Sequence, residues 1–514
     1  MKKIFTVIFA ALLAASALLV PAKAYEYPVY NGFEYIEMPE ENGTLLYAYH
    51  GTEKNVVIPQ KLGKYNVTAI YSNAFLNNSA LQTVTLPSGL KKIEASAFEG
   101  CTALKAIHLP KSVTEIANAP FKSCTALESI TVQAGNPIFE AQGNCLVNKS
   151  RKTVVAGCKN SVIPANGAVT EIDYYAFWGC TGLKSVTVPA NITYINPGAF
   201  WGCTGLTGVT LQNGLVGMGE SAFQGCTALK SIFVPQTVQQ VFSNSFYGCT
   251  ALAEILVSPE NTAFYSTNNC LVRRGDLALL MVGLNAEIPT NPEIKTVLYG
   301  ALSSKLQAEY LYIPANIEVL EPNLLQGFLN LRHIGVAREN AFYTVINGCL
   351  IEKSTRRLLK ACIGAKVPGG GVVTEISSDA FADPALTEII IPQGVQVVNG
   401  YFSNPQLKRL VLPQSVTEAF GICSAAQERT VSVAGYAGTA AEKAAQEYGV
   451  RFFALNGCDL TKDGSLDLKD LTLLAQKIAG WGGQAAPLSC DYDGSGQTNL
   501  KDLYYLTRLI LESN

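Results

Sequence analysis

Residues 176–198 read AFWGCTGLKSVTVPANITYINPG, residues 199–221 read AFWGCTGLTGVTLQNGLVGMGES, and residues 222–244 read AFQGCTALKSIFVPQTVQQVFSN. A shift of 23 residues lays each line on the next, and the same shift works outward in both directions. Phe75, Phe98 and Phe121 stand in one column with Phe177, Phe200, Phe223 and Phe246. Three residues further on stand Cys101, Cys124, Cys180, Cys203, Cys226 and Cys249. A third column holds Leu81, Leu104, Leu127, Leu183, Leu206, Leu229 and Leu252. Each Leu opens a β-rich stretch such as Leu183-Lys-Ser-Val-Thr-Val-Pro189, and a second apolar pair, as in Ile192-Thr-Tyr-Ile195, begins the next turn. One such unit cannot bury its own apolar side, whereas stacked copies share a continuous core, so the chain reads as a quasi-one-dimensional solenoid.

A period of 23 lies within the 20–29 range of leucine-rich repeats. The motif apolar-x-x-Ile-x-x-x-Ala-Phe-x-x-Cys-x-x-Leu-x-x-Ile-x-Leu-Pro resembles the BspA-like branch of that class over roughly Val56 to Leu455. The resemblance implies an α+β solenoid of short strands joined by helical or 3-10 corners. Later copies drift: Phe328 takes the Cys position, Phe381 is followed by Asp383-Pro384, and Phe402 comes after only 21 residues.

Three insertions interrupt the run and resemble one another. Asn136-Pro-Ile-Phe139 leads to Asn144-Cys-Leu146, Asn261-Thr-Ala-Phe264 to Asn269-Cys-Leu271, and Asn340-Ala-Phe342 to Gly348-Cys-Leu350. Each precedes an apolar strand-like segment and reads as an extra β-hairpin between turns. After the last repeat, an Ala-rich amphipathic stretch from Gly438 to Tyr448 and the apolar Val450 to Leu455 suit a cap over the open end of the core. Of the 14 cysteines, the six in the repeat column suit small buried hydrophobes. Cys145 with Cys158, and Cys349 with Cys362, are each 13 apart within hairpins, which is compatible with cross-strand bridges or with free thiols.

Composition excludes several function classes. The 514 residues are 48% hydrophobic and 15% charged, enough to bury a large core. Lys+Arg 38 against Asp+Glu 40 gives a net charge of −2, with no field to attract nucleic acid. The three histidines, His50, His108 and His333, are scattered, which leaves little material for a His-rich metal site or a hydrolase triad. At the N-terminus, Lys2 and Lys3 precede a small and apolar run from Ile4 to Pro21 and then Ala22-Lys23-Ala24, the pattern of a cleaved export signal. Residues 1–24 are therefore expected to be a signal peptide, Tyr25 to begin the mature protein, and no transmembrane segment to follow.

The chemistry is concentrated at the C-terminus. Asp459-Leu-Thr-Lys-Asp-Gly-Ser-Leu-Asp-Leu-Lys-Asp470 and Asp491-Tyr-Asp-Gly-Ser-Gly-Gln-Thr-Asn-Leu-Lys-Asp502 are twelve-residue loops 32 residues apart. Both carry oxygen side chains at positions 1, 3, 5, 9 and 12 and Gly at position 6. Ca²⁺ takes six to eight hard oxygen ligands, and the Gly permits the sharp turn that gathers them. Each loop precedes a helical stripe, Leu471, Leu474 and Ile478 in one and Leu503, Leu506 and Ile510 in the other, and no helix enters the first loop.

Paired loop-helix units of this size resemble the type I dockerin family over about Asn456 to Asn514. That resemblance implies a small all-α domain holding two Ca²⁺ ions. The ligands would be Asp459, Thr461, Asp463, Ser465, Asp467 and Asp470 in one loop, and Asp491, Asp493, Ser495, Gln497, Asn499 and Asp502 in the other. It also implies a cohesin module of a scaffoldin as partner, read by Leu468 and Lys469 and by Leu500 and Lys501, identical pairs that would allow two docking orientations. Cys458 and Cys490 each sit just before a loop, as a bridged pair or as free thiols.

The chain divides on this reading into a signal peptide (1–24), a capped repeat solenoid (25–455) and a dockerin (456–514). Outward positions on the strands, such as Thr83, Thr85, Ser185 and Thr187, are small and polar, giving way to Phe233 and Leu256. Trp178, Trp201 and Tyr247 share one corner position, where they either receive sugar rings or a protein partner or pack on the neighbouring turn. The expectation is a secreted, non-catalytic binding or adhesion protein delivered to a cellulosome-like complex. The alternatives are an enzyme acting on plant polysaccharide, although no carboxylate pair stands out in the repeats, and an inhibitor or recruiter within the complex.

Overall fold

The computed structural model describes residues 27–378, 380–381, 383–400, 402, 404–422, 431–463, 466–481, 485–492, 495 and 497–513. The expected signal peptide, Cys423 and the loop residues Ser465 and Asp493 lie outside them.

The 23-residue period becomes a coil of parallel strands in one-repeat register. On one face Ser129 pairs with Ala106, and further along Ser185 pairs with Gly208. On a second face two-residue strands repeat the register, with Glu115 opposite Lys92 and Glu171 opposite Tyr194. Between the faces lies the Phe column. Centroids of Phe177 and Phe200 are 4.8 Å apart, those of Phe200 and Phe223 5.0 Å, and those of Phe223 and Phe246 5.2 Å. These spacings match the separation of neighbouring strands, so each ring stacks on its copy in the next turn without gaps.

The corners differ from the helical or 3-10 expectation. Phe177 N–H donates to Ala199 O (2.7 Å) and Gly179 N–H to Trp201 O (2.7 Å), so these donors bond to the following turn instead of within a helix. Gly179, Gly202, Gly225 and Gly248 all have φ near +70°, a left-handed conformation that ends each corner after one turn. Among the described solenoid corners only Ser303–Lys305 is a 3-10 helix.

The cysteine column is buried and reduced, as its spacing suggests. Five of these thiols have a further duty, donating to a carbonyl of the preceding turn: Cys101 to Phe75 O (3.2 Å), Cys124 to Phe98 O (3.1 Å), Cys203 to Phe177 O (3.1 Å), Cys226 to Phe200 O (3.2 Å) and Cys249 to Phe223 O (3.2 Å). The hairpin cysteines are also free thiols. Cys349 stands opposite Ala361 instead of Cys362, so the paired register does not favour a bridge there.

Each insertion is a three-stranded antiparallel meander whose last strand rejoins the parallel coil. Phe139–Gln142, Cys145–Asn148 and Thr153–Ala156 form the first, and Thr153 then pairs with Glu171. The second and third repeat the arrangement through Leu279–Val282 and Arg357–Ala361. A buried asparagine roots each one. Asn261 Nδ2 donates to Pro235 O (2.7 Å) and Val238 O (3.0 Å), while its Oδ1 accepts from the N–H groups of Ala263 (2.8 Å) and Phe264 (2.7 Å). Asn136 and Asn340 make the corresponding four bonds.

The coil closes with the helix Ala440–Glu447, which buries Ala441, Ala444 and Ala445 on the last turn, and with the strand Arg451–Ala454. A short 3-10 turn, Leu455–Cys458, leads directly to two helices, Leu468–Ile478 and Leu500–Ser513.

Candidate functional site: the paired acidic loops

The two helices pack on each other through Leu471, Leu474, Leu506, Leu509 and Ile510, the faces expected from their helical spacing. Each loop delivers its position-12 carboxylate to the interior: Asp470 is 1% exposed and Asp502 0%. Asp470 accepts from the N–H groups of Thr461 (2.8 Å) and Asp467 (2.9 Å), and Asp502 accepts from Asn499 N–H (2.9 Å). Asp467 caps the first helix by accepting from Lys469 N–H (2.7 Å), completing a reciprocal box with Asp470.

In the first loop, one carboxylate oxygen from each of Asp459, Asp463 and Asp470 lies within 4.8 Å of the others. Thr461 Oγ1 donates to Asp459 (3.3 Å), which places it in the same cluster. In the second loop Ser495 N–H donates to Asp491 (2.9 Å), and the Gln497 carbonyl accepts from Ser495 Oγ (3.1 Å) and Asn499 Nδ2 (3.2 Å). Hard oxygens gathered in this way, as in the first loop, are the kind of donor that Ca²⁺ takes. Of the expected ligands, Asp459, Thr461, Asp463, Asp467, Asp470, Asp491, Ser495, Gln497, Asn499 and Asp502 lie among the described residues.

Leu468, Lys469, Leu500 and Lys501 form the first turn of each helix. Leu468 is 62% exposed and Leu500 69%, so the two matching leucines both point away from the core. Trp481 and Tyr504, which sequence reasoning did not single out, are also exposed. Lys469 Nζ lies 3.4 Å from Asp463 and 3.7 Å from Asp467, and these carboxylates raise the ammonium pKa. Cys458 and Cys490 are free and buried side by side, and their thiols donate to Ser489 O (3.5 Å) and Gly457 O (3.6 Å).

The helix pair is seated on the solenoid. Val411 and Ala434, facing away from the coil's own core, join the cluster of Leu455, Leu471 and Leu506. Arg409 lies 4.0 Å over the Tyr492 ring and donates to its carbonyl (2.7 Å), while Tyr492 OH donates to Glu388 (3.2 Å) and Arg508 pairs with Glu388 (3.0 Å).

The corner aromatics do not form one ribbon. Trp178 and Trp201 stack at 4.9 Å and 10°, with Lys122 Nζ 3.6 Å from the Trp178 ring centre. Tyr247 stacks instead on Tyr299 (5.7 Å). All three expected residues are half-buried.

A coil of stacked parallel strands in one-repeat register defines a leucine-rich-repeat solenoid. The BspA type leucine rich repeat region, in six copies, matches residues 47–166, 152–271 and 370–427, and the chain belongs to that family. Among curated proteins none matches. Solved structures similar to it include a leucine rich cell surface protein of Faecalibacterium prausnitzii, with 24% identity, 76% of this chain and 89% of that one covered, and a TM-score of 0.41. A leucine-rich repeat protein of Bacteroides ovatus has 20% identity, 76% and 95% coverage, and a TM-score of 0.29. The pneumococcal vaccine antigen PcpA has 16% identity, 83% and 98% coverage, and a TM-score of 0.34. No described helix is long and apolar enough to cross a membrane.

Proposed function

We propose that the protein is exported and non-catalytic, that its repeats bind a protein or polysaccharide ligand, and that its C-terminal unit is a calcium-dependent dockerin. The unit attaches the solenoid to a cohesin of a cellulosome-like complex. The observation that carries the docking half is the convergence of Asp459, Asp463 and Asp470 beneath a helix whose first residue, Leu468, is exposed and matched by Leu500. Bound calcium would neutralise the gathered carboxylates and hold both first turns in place for a partner. The two ions supply charge and cross-linking, and the leucine and lysine pairs supply recognition.

The test is to pass the source organism's secreted and cell-wall proteins over immobilised Tyr25–Asn514 with calcium or chelator. A retained cohesin-bearing protein that chelator releases supports the docking half, and Asp459→Ala with Asp491→Ala should abolish its retention while the solenoid stays folded. Retention of the cohesin by that double variant would overturn the calcium mechanism. A partner held in both conditions is the candidate ligand of the repeats.

A further inference from the structure

Beneath the third meander the parallel sheet is interrupted: one sheet ends at Val319–Leu320 and the next begins at Tyr343–Ile346. The gap holds a cavity of about 470 Å³, within the size range of small-molecule sites. At the first meander, by contrast, the matching corner, Ala119 to Cys124, encloses only about 10 Å³ against Ala156, Tyr175 and Trp178.

Register explains the difference. Thr153 pairs with Glu171 and Arg357 with Glu375, so Asp173 and Tyr174 at the first meander correspond to Ser377 and Ser378 at the third. Asp173 is buried and bonded by Arg151 (2.6 Å), so an ion pair occupies that place at the first meander. Ser377 and Ser378 are shorter and uncharged, and they line the cavity beside Arg357 and Glu375. The strand edge left at Val319–Leu320 is satisfied by Tyr343 OH, which accepts from Leu320 N–H (2.9 Å) and donates to Glu318 O (3.1 Å), where Phe139 and Phe264 stand in the other meanders.

The lining has a definite chemistry. Arg357 Nη2 donates to Glu352 (3.1 Å), but its Nε is buried and has no acceptor among the described residues. A buried donor left unsatisfied is costly, so the site asks for an acceptor from outside the chain. Glu321, Glu352 and Glu375 face the cavity against the single guanidinium of Arg357, which disfavours an anion. Asn399, bonded to Glu375 at 3.5 Å, adds a further donor and acceptor, and Leu324 and Leu325 supply an apolar wall.

We propose that this cavity binds a neutral sugar unit. A sugar ring carries acceptors for Arg357 Nε, hydroxyl donors for the glutamates and Asn399, and a C–H face for the leucine wall, with no negative charge to oppose three carboxylates. The proposal deepens the reading of the repeats as a ligand-binding region and is independent of the docking unit.

The test uses the full chain and saturation-transfer NMR with cellobiose, xylobiose, mannobiose and galactose, and galacturonic acid as the anionic counter-probe. At least one neutral sugar should bind saturably at up to about 10 mM. Ser378→Trp, which fills the mouth from an exposed position, and Asn399→Ala should each weaken it about tenfold or more with thermal melting unchanged, a loss of about 1.4 kcal/mol. Failure of every neutral sugar, or preference for galacturonic acid, overturns the proposal. A neutral sugar bound equally well by Ser378→Trp also overturns it, and leaves the repeats as sugar binders through another surface.

Discussion

Phe223 shows how much of the structure rests on single positions. The Phe223 ring is 0% exposed and stacks on a copy at each side, at 5.0 and 5.2 Å. Phe223→Ala should therefore cost about 3–5 kcal/mol, measured as a drop in urea midpoint, because neighbouring turns cannot collapse into the gap. Burial also pushes the thiols of Cys101 and Cys180 up to about 12. In the unfolded chain a thiol titrates near 8.5. Below that value the protonated form is shared by both states and stability is at its full value. As pH rises from about 9 toward 12, the unfolded state loses protons that the folded state keeps, so stability should fall by about 1.4 kcal/mol per pH unit per thiol. Urea midpoints at neutral and alkaline pH would show it, and a flat profile would contradict buried, protonated thiols. The column itself was legible as a 23-residue recurrence of small buried cysteines. Its donor role was not, because that depends on a carbonyl one turn away. Ser303, which fills the same role by donating to Phe246 O (3.2 Å), was hidden because an insertion displaces it from the period.

Among the elements, the meanders depend on their asparagines more than on strand propensity. Asn261 is 2% exposed and satisfies two carbonyls and two N–H groups at once. Asn261→Ala leaves all four without that partner, and at about 1–3 kcal/mol for each buried group left unmade the loss should be at least about 3 kcal/mol. Asn261→Asp should not rescue it, since a carboxylate cannot donate to Pro235 and Val238. Equal urea midpoints for Asn261→Asp and the parent would show that water replaces these bonds. The repeated Asn, and the Cys-Leu that follows it, made the insertions readable as hairpins. The third strand and its return to the parallel coil were not readable, because pairing across 18 residues, as between Arg357 and Glu375, leaves no local pattern. The corners misled for a similar reason: their spacing suits a helical turn, but the competing inter-turn bonds from Phe177 and Gly179 appear only once copies are stacked.

Across the whole molecule, the outward face of the strands changes character where the helix pair sits. Thr83, Thr85, Ser185 and Thr187 are solvated or partly so, whereas the equivalent outward Val411 and Ala434 are buried beneath the helices. That switch from polar to apolar was visible in the sequence, but without a partner in view it reads as ordinary strand residues. The two loop-helix units match closely in sequence, and the second carries a charged fastening to the coil, through Tyr492 and Arg508 on Glu388 and through Arg409. Glu388 is 13% exposed in its side chain and accepts or pairs with all three, so removing its charge leaves Arg409 and Arg508 close together with their shared counter-charge gone. Glu388→Gln keeps the shape and loses the charge. It should lower hydrogen-exchange protection of Leu468–Ile478 and Leu500–Ser513 by about 2–3 kcal/mol, with no change in early strands such as Ala106–Leu109, because a solenoid transmits stability mainly between neighbours. If the helices keep parental protection while Glu388 is neutral, apolar burial of Val411 and Ala434 alone holds the unit, and the charged cluster only sets its orientation.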